Sequence, residues 1–267
     1  MTTTARPTAT DVGTMYDSYT DICTDNMGGF IHVGYWDNPE TAEETVEVAT
    51  ERLTREVAEK LSSSPGQHIL DVGCGSGKPA AQIATSYDVQ ITGITVSNHQ
   101  IDVAQAAYDG LIKAGKVNFQ FANAMELPFA DATFDGAYAI ESLVHMDDRR
   151  AALSHIARVL RPGSRLSIAD LVLDAECPNP EVIAKWQELF QVPAVFSGDE
   201  LKALLHETGF KVIEYTDVRD NIRPIYKYIE KKAPSLDAEV GEQLRDMAHS
   251  MGTLKEMGYV LITAERL

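Results

Sequence analysis

Ile69-Leu70-Asp71-Val72-Gly73-Cys74-Gly75-Ser76-Gly77 is the stretch that decides the fold. Two apolar residues lead into an acid, and three glycines then alternate with other residues. The pattern predicts a buried strand ending at Leu70 or Asp71, then a tight turn into a helix. Glycine has no Cβ, so it lets backbone approach a ligand, and it adopts φ > 0 at little cost. The spacing is G-x-G-x-G. The dinucleotide spacing, G-x-G-x-x-G, lays a pyrophosphate on a helix N-terminus. Here an acid precedes the loop and the turn holds only the small Ser76, so a ligand that lacks phosphate and carries an amine fits better. A glycine-rich turn with no ligand is the plainer alternative, and three glycines after an acid argue against it.

Strand and helix patterns alternate outward from this loop. Strands are expected at His68 to Val72, Gln90 to Thr95, Asn118 to Ala122, Phe134 to Ile140 and Arg165 to Leu171. Helices are expected at Lys78 to Tyr87, Asn98 to Ala114 and Arg149 to Leu160. Such βαβ alternation implies a parallel sheet with helices on both faces. Upstream, Val12 to Asn26 has helical spacing. Thr41 to Leu61 reads as a helix capped by Thr41 with Glu44 three residues on. Downstream, the alternation stops. Asn179 to Phe196 holds a helix and Gly198 to Gly209 another, before a strand from Lys211 to Val218. Asn221 to Leu254 is helical, and Tyr259 to Ala264 is a last strand.

The acid-x-G-x-G-x-G of Asp71 to Gly77 resembles the first loop of the class I S-adenosylmethionine (SAM)-dependent methyltransferases. The stretch Gly93-Ile94-Thr95-Val96-Ser97 with Gln100 is similar to the small-molecule branch that holds sterol and tocopherol C-methyltransferases and the rebeccamycin sugar O-methyltransferase. The resemblance implies a Rossmann-like, seven-stranded, mostly parallel sheet whose last two strands form an antiparallel edge hairpin. It implies SAM as cofactor and S-adenosylhomocysteine as product. Cofactor contacts then fall to Asp71, Gly73 and Gly75, to Thr95, Val96 and Gln100, to Asn123 and Ala124 after the third strand, and to Glu141 after the fourth. Asn123 stands where the family usually has Asp; it keeps a hydrogen-bond acceptor but adds no charge.

Ligands of open α/β sheets bind at the carboxyl ends of the strands. His145 and Asp170 end the fourth and fifth strands there and are the catalytic candidates, since a carboxylate in apolar surroundings can be a base or an orienting group. Sugar O-methyltransferases of this branch carry two adjacent His after the fourth strand. Here Val144 replaces the first, so the usual His/Asp pair does not carry over whole. The aromatic N-terminal segment also resembles the branch, with Tyr16, His32 and Trp36 over the cofactor and Tyr19 and Phe30 toward the acceptor. Trp186, Phe190 and Phe196, with Val144, are the remaining acceptor-side candidates. Core packing is the plain alternative for each aromatic.

Composition narrows the partners. A formal net charge of −17 argues against nucleic acid and anionic membranes. No apolar run suits a membrane span, and Met1 to Thr10 lacks the features of a secretory signal. The three cysteines, Cys23, Cys74 and Cys177, have no metal spacing, so free thiols in a reducing cytoplasm are expected and no metal is implied. The chain reads as a disordered tail over 1–11 and one methyltransferase domain over 12–267, with a lid at 12–40 and an acceptor-side insertion at 172–200. The expected activity is methylation, at oxygen or carbon, of a small, largely apolar natural-product acceptor. A cyclase that keeps SAM structurally is the alternative. Another is prenyl-diphosphate C-methylation, for which only Arg219, Arg223 and Lys227 offer a basic group. Oligomeric state is left open.

Overall fold

A computed structural model describes residues 6–174 and 179–267. The first five residues of the expected tail, and Cys177 with its neighbours in the expected insertion, lie outside them. In chain order the elements are α1 (Ala9–Asn26), α2 (Val46–Leu61), β1 (His68–Val72), α3 (Lys78–Tyr87), β2 (Gln90–Thr95), α4 (Asn98–Ala107), α5 (Asp109–Lys113), β3 (Val117–Phe121), β4 (Phe134–Ile140), α6 (Arg149–Val159) and β5 (Leu160–Leu173). There follow α7 (Pro180–Leu189), α8 (Gly198–Glu207), β6 (Phe210–Asp217), α9 (Arg219–Ile222), α10 (Pro224–Lys232), α11 (Ala238–Thr253) and β7 (Met257–Arg266).

The seven strands form one sheet in the order β3-β2-β1-β4-β5-β7-β6. The first five pair in parallel. β7 runs antiparallel between β5 and β6. Both faces are covered, and the strand period of two divides the core accordingly. Ile69, Tyr138, Tyr259 and Leu261 pack with α2 and α3 residues such as Leu53 and Ile83. Leu70, Val72, Ala137, Val260 and Ile262 face the other way, onto Leu153 and Ile156 of α6 and Leu205 of α8. The switch in strand order between β1 and β4 opens a crevice above Asp71 and Glu141, where such sheets bind ligands.

Several boundaries differ from the sequence reading, each for a local reason. Helix α1 starts at Ala9 and not Val12, because Thr8 and Asp11 form a reciprocal capping box. Helix α2 starts at Val46: Thr45 caps it by accepting from Val48 N, while Glu44 is drawn to Arg52. The helix expected from Asn98 to Ala114 breaks at Tyr108. β5 begins at Leu160, since Arg161-Pro162-Gly163 forms an irregularity within the strand and not a turn before it. The region from Asn221 to Leu254 divides at Pro224 and again before Ala238. Among the described residues no helix is long and apolar enough to cross a membrane, and Cys23 and Cys74 are free thiols.

Candidate functional site

At the end of β1, Gly73 has φ +88° and a Cβ there would lie 2.4 Å from Ser142 Cβ. Only glycine lets the loop pass against the end of β4. A Cβ on Gly75 would meet Ile31 Cδ1 at 3.1 Å, so the neighbour at that position is the N-terminal segment and not open ligand space alone. Asp71 is 2% exposed, and one of its oxygens accepts from Tyr138 Oη at 2.7 Å. Burial pushes its pKa up to about 7 against that hydrogen bond, so a cationic group beside it would offset a desolvation cost that Tyr138 relieves only in part.

Strand β2 delivers Thr95, whose hydroxyl donates to Gln100 Oε1 at 2.6 Å. Gln100 Nε2 donates in turn to Thr20 of α1 at 3.3 Å. Gln100 is therefore held between the cofactor loop and the N-terminal helix. Beyond β3, Asn123 Oδ1 accepts from Met125 N at 3.0 Å. These residues enclose a cavity of about 110 Å³ that is also lined by Tyr16, His32, Gly73, Gly75, Val96, Ala124, Glu141 and His145.

A second cavity, of about 170 Å³, lies on the other side of Tyr16, Ile31, Glu141 and His145, which line both. Its wall is apolar. Tyr19, Val144, Trp186 and Phe190 line it. So do Ile225, Tyr226 and Ile229 of α10 and Met247 of α11, residues read from sequence only as part of a helical region. Their spacing of one, three and four residues is the signal that would have marked an inward face.

The polar centre is the junction. Tyr16 Oη and His145 Nε2 are 2.9 Å apart. His145 Nδ1 is buried and makes no hydrogen bond of normal geometry among the described residues. Burial drives the pKa of His145 down to about 4, a shift partly offset by the facing backbone of Gln191 and Phe190. A neutral ring with its proton on Nδ1 leaves Nε2 to accept from the Tyr16 hydroxyl.

Four sequence expectations are corrected. Asp170 lines neither cavity. It is 2% exposed, and its two oxygens accept from Val144 N at 3.0 Å and Leu171 N at 2.8 Å. Trp36 is core, packed among α2 residues, with its indole N–H directed at Glu44 O. Phe30 is fully buried under Lys78, whose ammonium sits 4.6 Å from the ring centroid. Phe196 lies against the Arg149 guanidinium at 4.2 Å. His32 does line the cofactor cavity, but its nitrogens are engaged: Nδ1 with Val33 O at 2.8 Å and Nε2 with Thr54 Oγ1 at 3.1 Å.

Arg149, missed in sequence, completes the support of His145. Its Nε donates to Leu143 O at 2.7 Å and its Nη2 to Val144 O at 2.8 Å. The turn carrying His145 is thus gripped by a buried carboxylate at its amide and a buried guanidinium at its carbonyls. Helix α1 is held as firmly. Asp17 Oδ1 accepts from Ser97 Oγ at 2.5 Å and His99 N at 3.2 Å, at the N-terminus of α4. A Cβ on Gly13 would lie 2.2 Å from Val96 O, so the helix rests directly on the β2 loop. The lone glycine within a helical pattern was the sequence signal for that approach.

The profile of the family described as "Methyltransferase domain" matches residues 70–168. The chain is 69% identical to O-methyltransferase resE of Aspergillus sclerotiorum, over 99% of this chain and 100% of that one. It is 64% identical to an O-methyltransferase of Pyrenophora dematioidea over the full length of both. Among solved structures, that of the [4+2]-cyclase SpnF superposes with a TM-score of 0.84 at 30% identity, over 97% of each chain. The chain belongs to the class I SAM-dependent methyltransferases.

Proposed function

We propose that this chain transfers the methyl group of SAM to a hydroxyl of a small, largely apolar natural product, giving a methyl ether and S-adenosylhomocysteine. One observation carries the reading: a cavity built on the glycine loop and an apolar cavity share the walls Tyr16, Ile31, Glu141 and His145. A donor in the first and an acceptor in the second would meet there. Support for oxygen as the methylated atom comes from relatives named O-methyltransferases, and for a natural-product acceptor from the 27-O-demethylrifamycin SV methyltransferase of Amycolatopsis mediterranei, 36% identical.

SAM, when bound, supplies an electrophilic methyl on a sulfonium. The chain's residues fit such a donor. Asp71 would offer a buried carboxylate to an ammonium, Thr95 and Gln100 would offer hydroxyl and amide groups to ribose hydroxyls, and Asn123 would meet the adenine edge. His145, held by Tyr16, orients the acceptor hydroxyl. Asp170 acts through the turn and is a positioning residue, so the two expected catalytic residues have different roles. The enclosure excludes water and sets the reacting atoms in line, at roughly 3 Å. Residues 12–40 would close over the donor as a lid, and Trp186 and Phe190 would roof the acceptor.

The cyclase likeness favours a second reading, in which the acceptor closes a ring and SAM is not consumed. Prenyl-diphosphate C-methylation has less support. Arg219 is taken up by Asp174 and Asp217, and Arg223 pairs with Asp220. The deciding experiment incubates the protein with methyl-labelled SAM and a panel of apolar alcohols, with mass spectrometry of the extract. Label in an ether, with one S-adenosylhomocysteine per product, is expected. An isomerised product with no label would replace this reading by the cyclase.

A further inference from the structure

Glu141 stands out at the junction of the cavities. It is a non-glycine residue with φ +49°, a strained region that such residues seldom adopt and that clusters at functional sites. Other non-glycine residues with positive φ occur at Ala42, Ser62, Asp88, Ala132 and Gln191. None of these lines either cavity; Glu141 lines both. The strained backbone is pinned from several sides. Glu141 N donates to Ala169 O at 2.8 Å at the end of the ladder. Glu141 Oε1 accepts from Val33 N at 2.9 Å and from Tyr259 Oη at 2.8 Å. Among the described residues Oε2 has no hydrogen bond. One oxygen anchors the side chain and the other carries no hydrogen bond, on a residue that lines both cavities.

We infer that Glu141 is the base that takes the proton of the acceptor hydroxyl. The inference rests on the O-methylation proposed above. As the acceptor oxygen's lone pair forms the new O–C bond, the electron pair of the methyl–sulfur bond stays on sulfur, and the O–H proton passes to Glu141 Oε2. Donor cation, neutral alcohol and carboxylate become neutral thioether, methyl ether and carboxylic acid, so charge balances. The other groups at the junction suit the task less well. Burial raises the Tyr16 hydroxyl, and burial lowers His145 to about 4, which leaves its imidazole too weakly basic. Burial brings Glu141 itself up to about 7, against the Val33 and Tyr259 hydrogen bonds, which is where a general base serves best. The groups that act electrostatically on Glu141 or are acted on by it are Tyr16 and Cys23 of α1, Asp170 of β5, Tyr226 of α10 and Tyr259 of β7. Asp71, across the cofactor cavity, titrates in the same range.

The test uses the full chain, saturating SAM and two probes. Farnesol needs a base; 4-nitrophenol at pH 8.5 is already an anion. Glu141→Gln keeps an oxygen for Val33 N and Tyr259 Oη. It should slow farnesol methylation by about 10²–10⁴ and that of 4-nitrophenol by less than about tenfold. Calorimetry of S-adenosylhomocysteine binding reads any loss of the donor contact separately, and saturating SAM keeps that loss out of the compared rates. The wild-type farnesol rate should rise to a plateau above pH 7. That inflection should vanish in Glu141→Gln, and it should move upward in Tyr259→Phe, which keeps the carboxylate but removes a donor. The Asp71 contribution is common to all variants and cancels in the comparison. Equal slowing of both probes, or a wild-type farnesol rate in Glu141→Gln, overturns the assignment. Failure of the function reading looks different: a wild-type protein that binds S-adenosylhomocysteine but methylates no hydroxyl probe.

Discussion

Replacing Gly13 with alanine tests whether α1 must touch the β2 loop for the cofactor cavity to close. In an isolated helix the change should stabilise, because alanine exceeds glycine in helix propensity by about 1 kcal/mol. In the folded chain the new Cβ would lie 2.2 Å from Val96 O and 3.2 Å from Val96 C. Both are backbone atoms that cannot rotate away, while ordinary contact starts near 3.4 Å. The helix must therefore back off by more than an ångström. That retreat lengthens the bonds Gln100–Thr20, Asp17–Ser97 and Tyr16–His145, at 3.3, 2.5 and 2.9 Å. Overpacking of this kind costs about 1–3 kcal/mol, so S-adenosylhomocysteine affinity should fall by roughly 5- to 150-fold. Calorimetry measures the affinity, and limited proteolysis reads whether α1 has come away. Thr14→Ala, on the exposed face of the same helix, should leave both unchanged. Wild-type affinity and protection in Gly13→Ala would refute the close approach and the lid with it.

Asp71→Asn should abolish stabilisation by SAM yet make the unliganded protein more stable at pH 8. The folded-state pKa of Asp71 is raised from 3.8 to about 7, so its contribution is present below pH 4 and is lost as pH rises through 7. Removing the charge should recover on the order of 1–4 kcal/mol at pH 8 and less at pH 5, read from denaturant midpoints; equal gains at both pH values would contradict the assignment. Deleting residues 1–26 should leave a cooperatively unfolding sheet but remove most turnover, as expected of a water-excluding lid; full activity would mean that the aromatic residues there only pack. Asp170→Asn should lower the melting temperature and cut kcat with little change in S-adenosylhomocysteine affinity, because its one remaining oxygen cannot serve both Val144 N and Leu171 N. His145→Ala should cut kcat at nearly unchanged melting temperature, and the reverse pattern would exchange their roles.

The topology was legible because its signals are local. Three glycines after Asp71 demand a tight strand-to-helix turn, and apolar runs of five to seven residues between helical patterns demand a parallel sheet. Strands β1, β2 and β4 follow from the residues alone. Capping was legible in principle: Thr8 with Asp11, and Thr45 ahead of Val48, compete with other Thr and Glu nearby. The Arg52 guanidinium, from the following helix, decided which Glu was free.

What only the tertiary structure decided is which side chains face the crevice. A strand-end acid in sequence gives no direction, and Asp170 spends both oxygens on backbone amides while Glu141 keeps one oxygen for the cavities. The aromatic residues of the N-terminal segment look alike in sequence. Tyr16 and Tyr19 reach the cavities, whereas Phe30 and Trp36 fill the core. The reason is packing. Hydrophobicity sends each of them inward, and only the packing of α2, α10 and α11 determines whether inward means core or cavity wall. Sequence alone determined the glycine loop after β1, because that loop is set by backbone conformation. The second cavity is set by contacts between elements more than a hundred residues apart, as between Tyr16 and His145, and no local pattern encodes them.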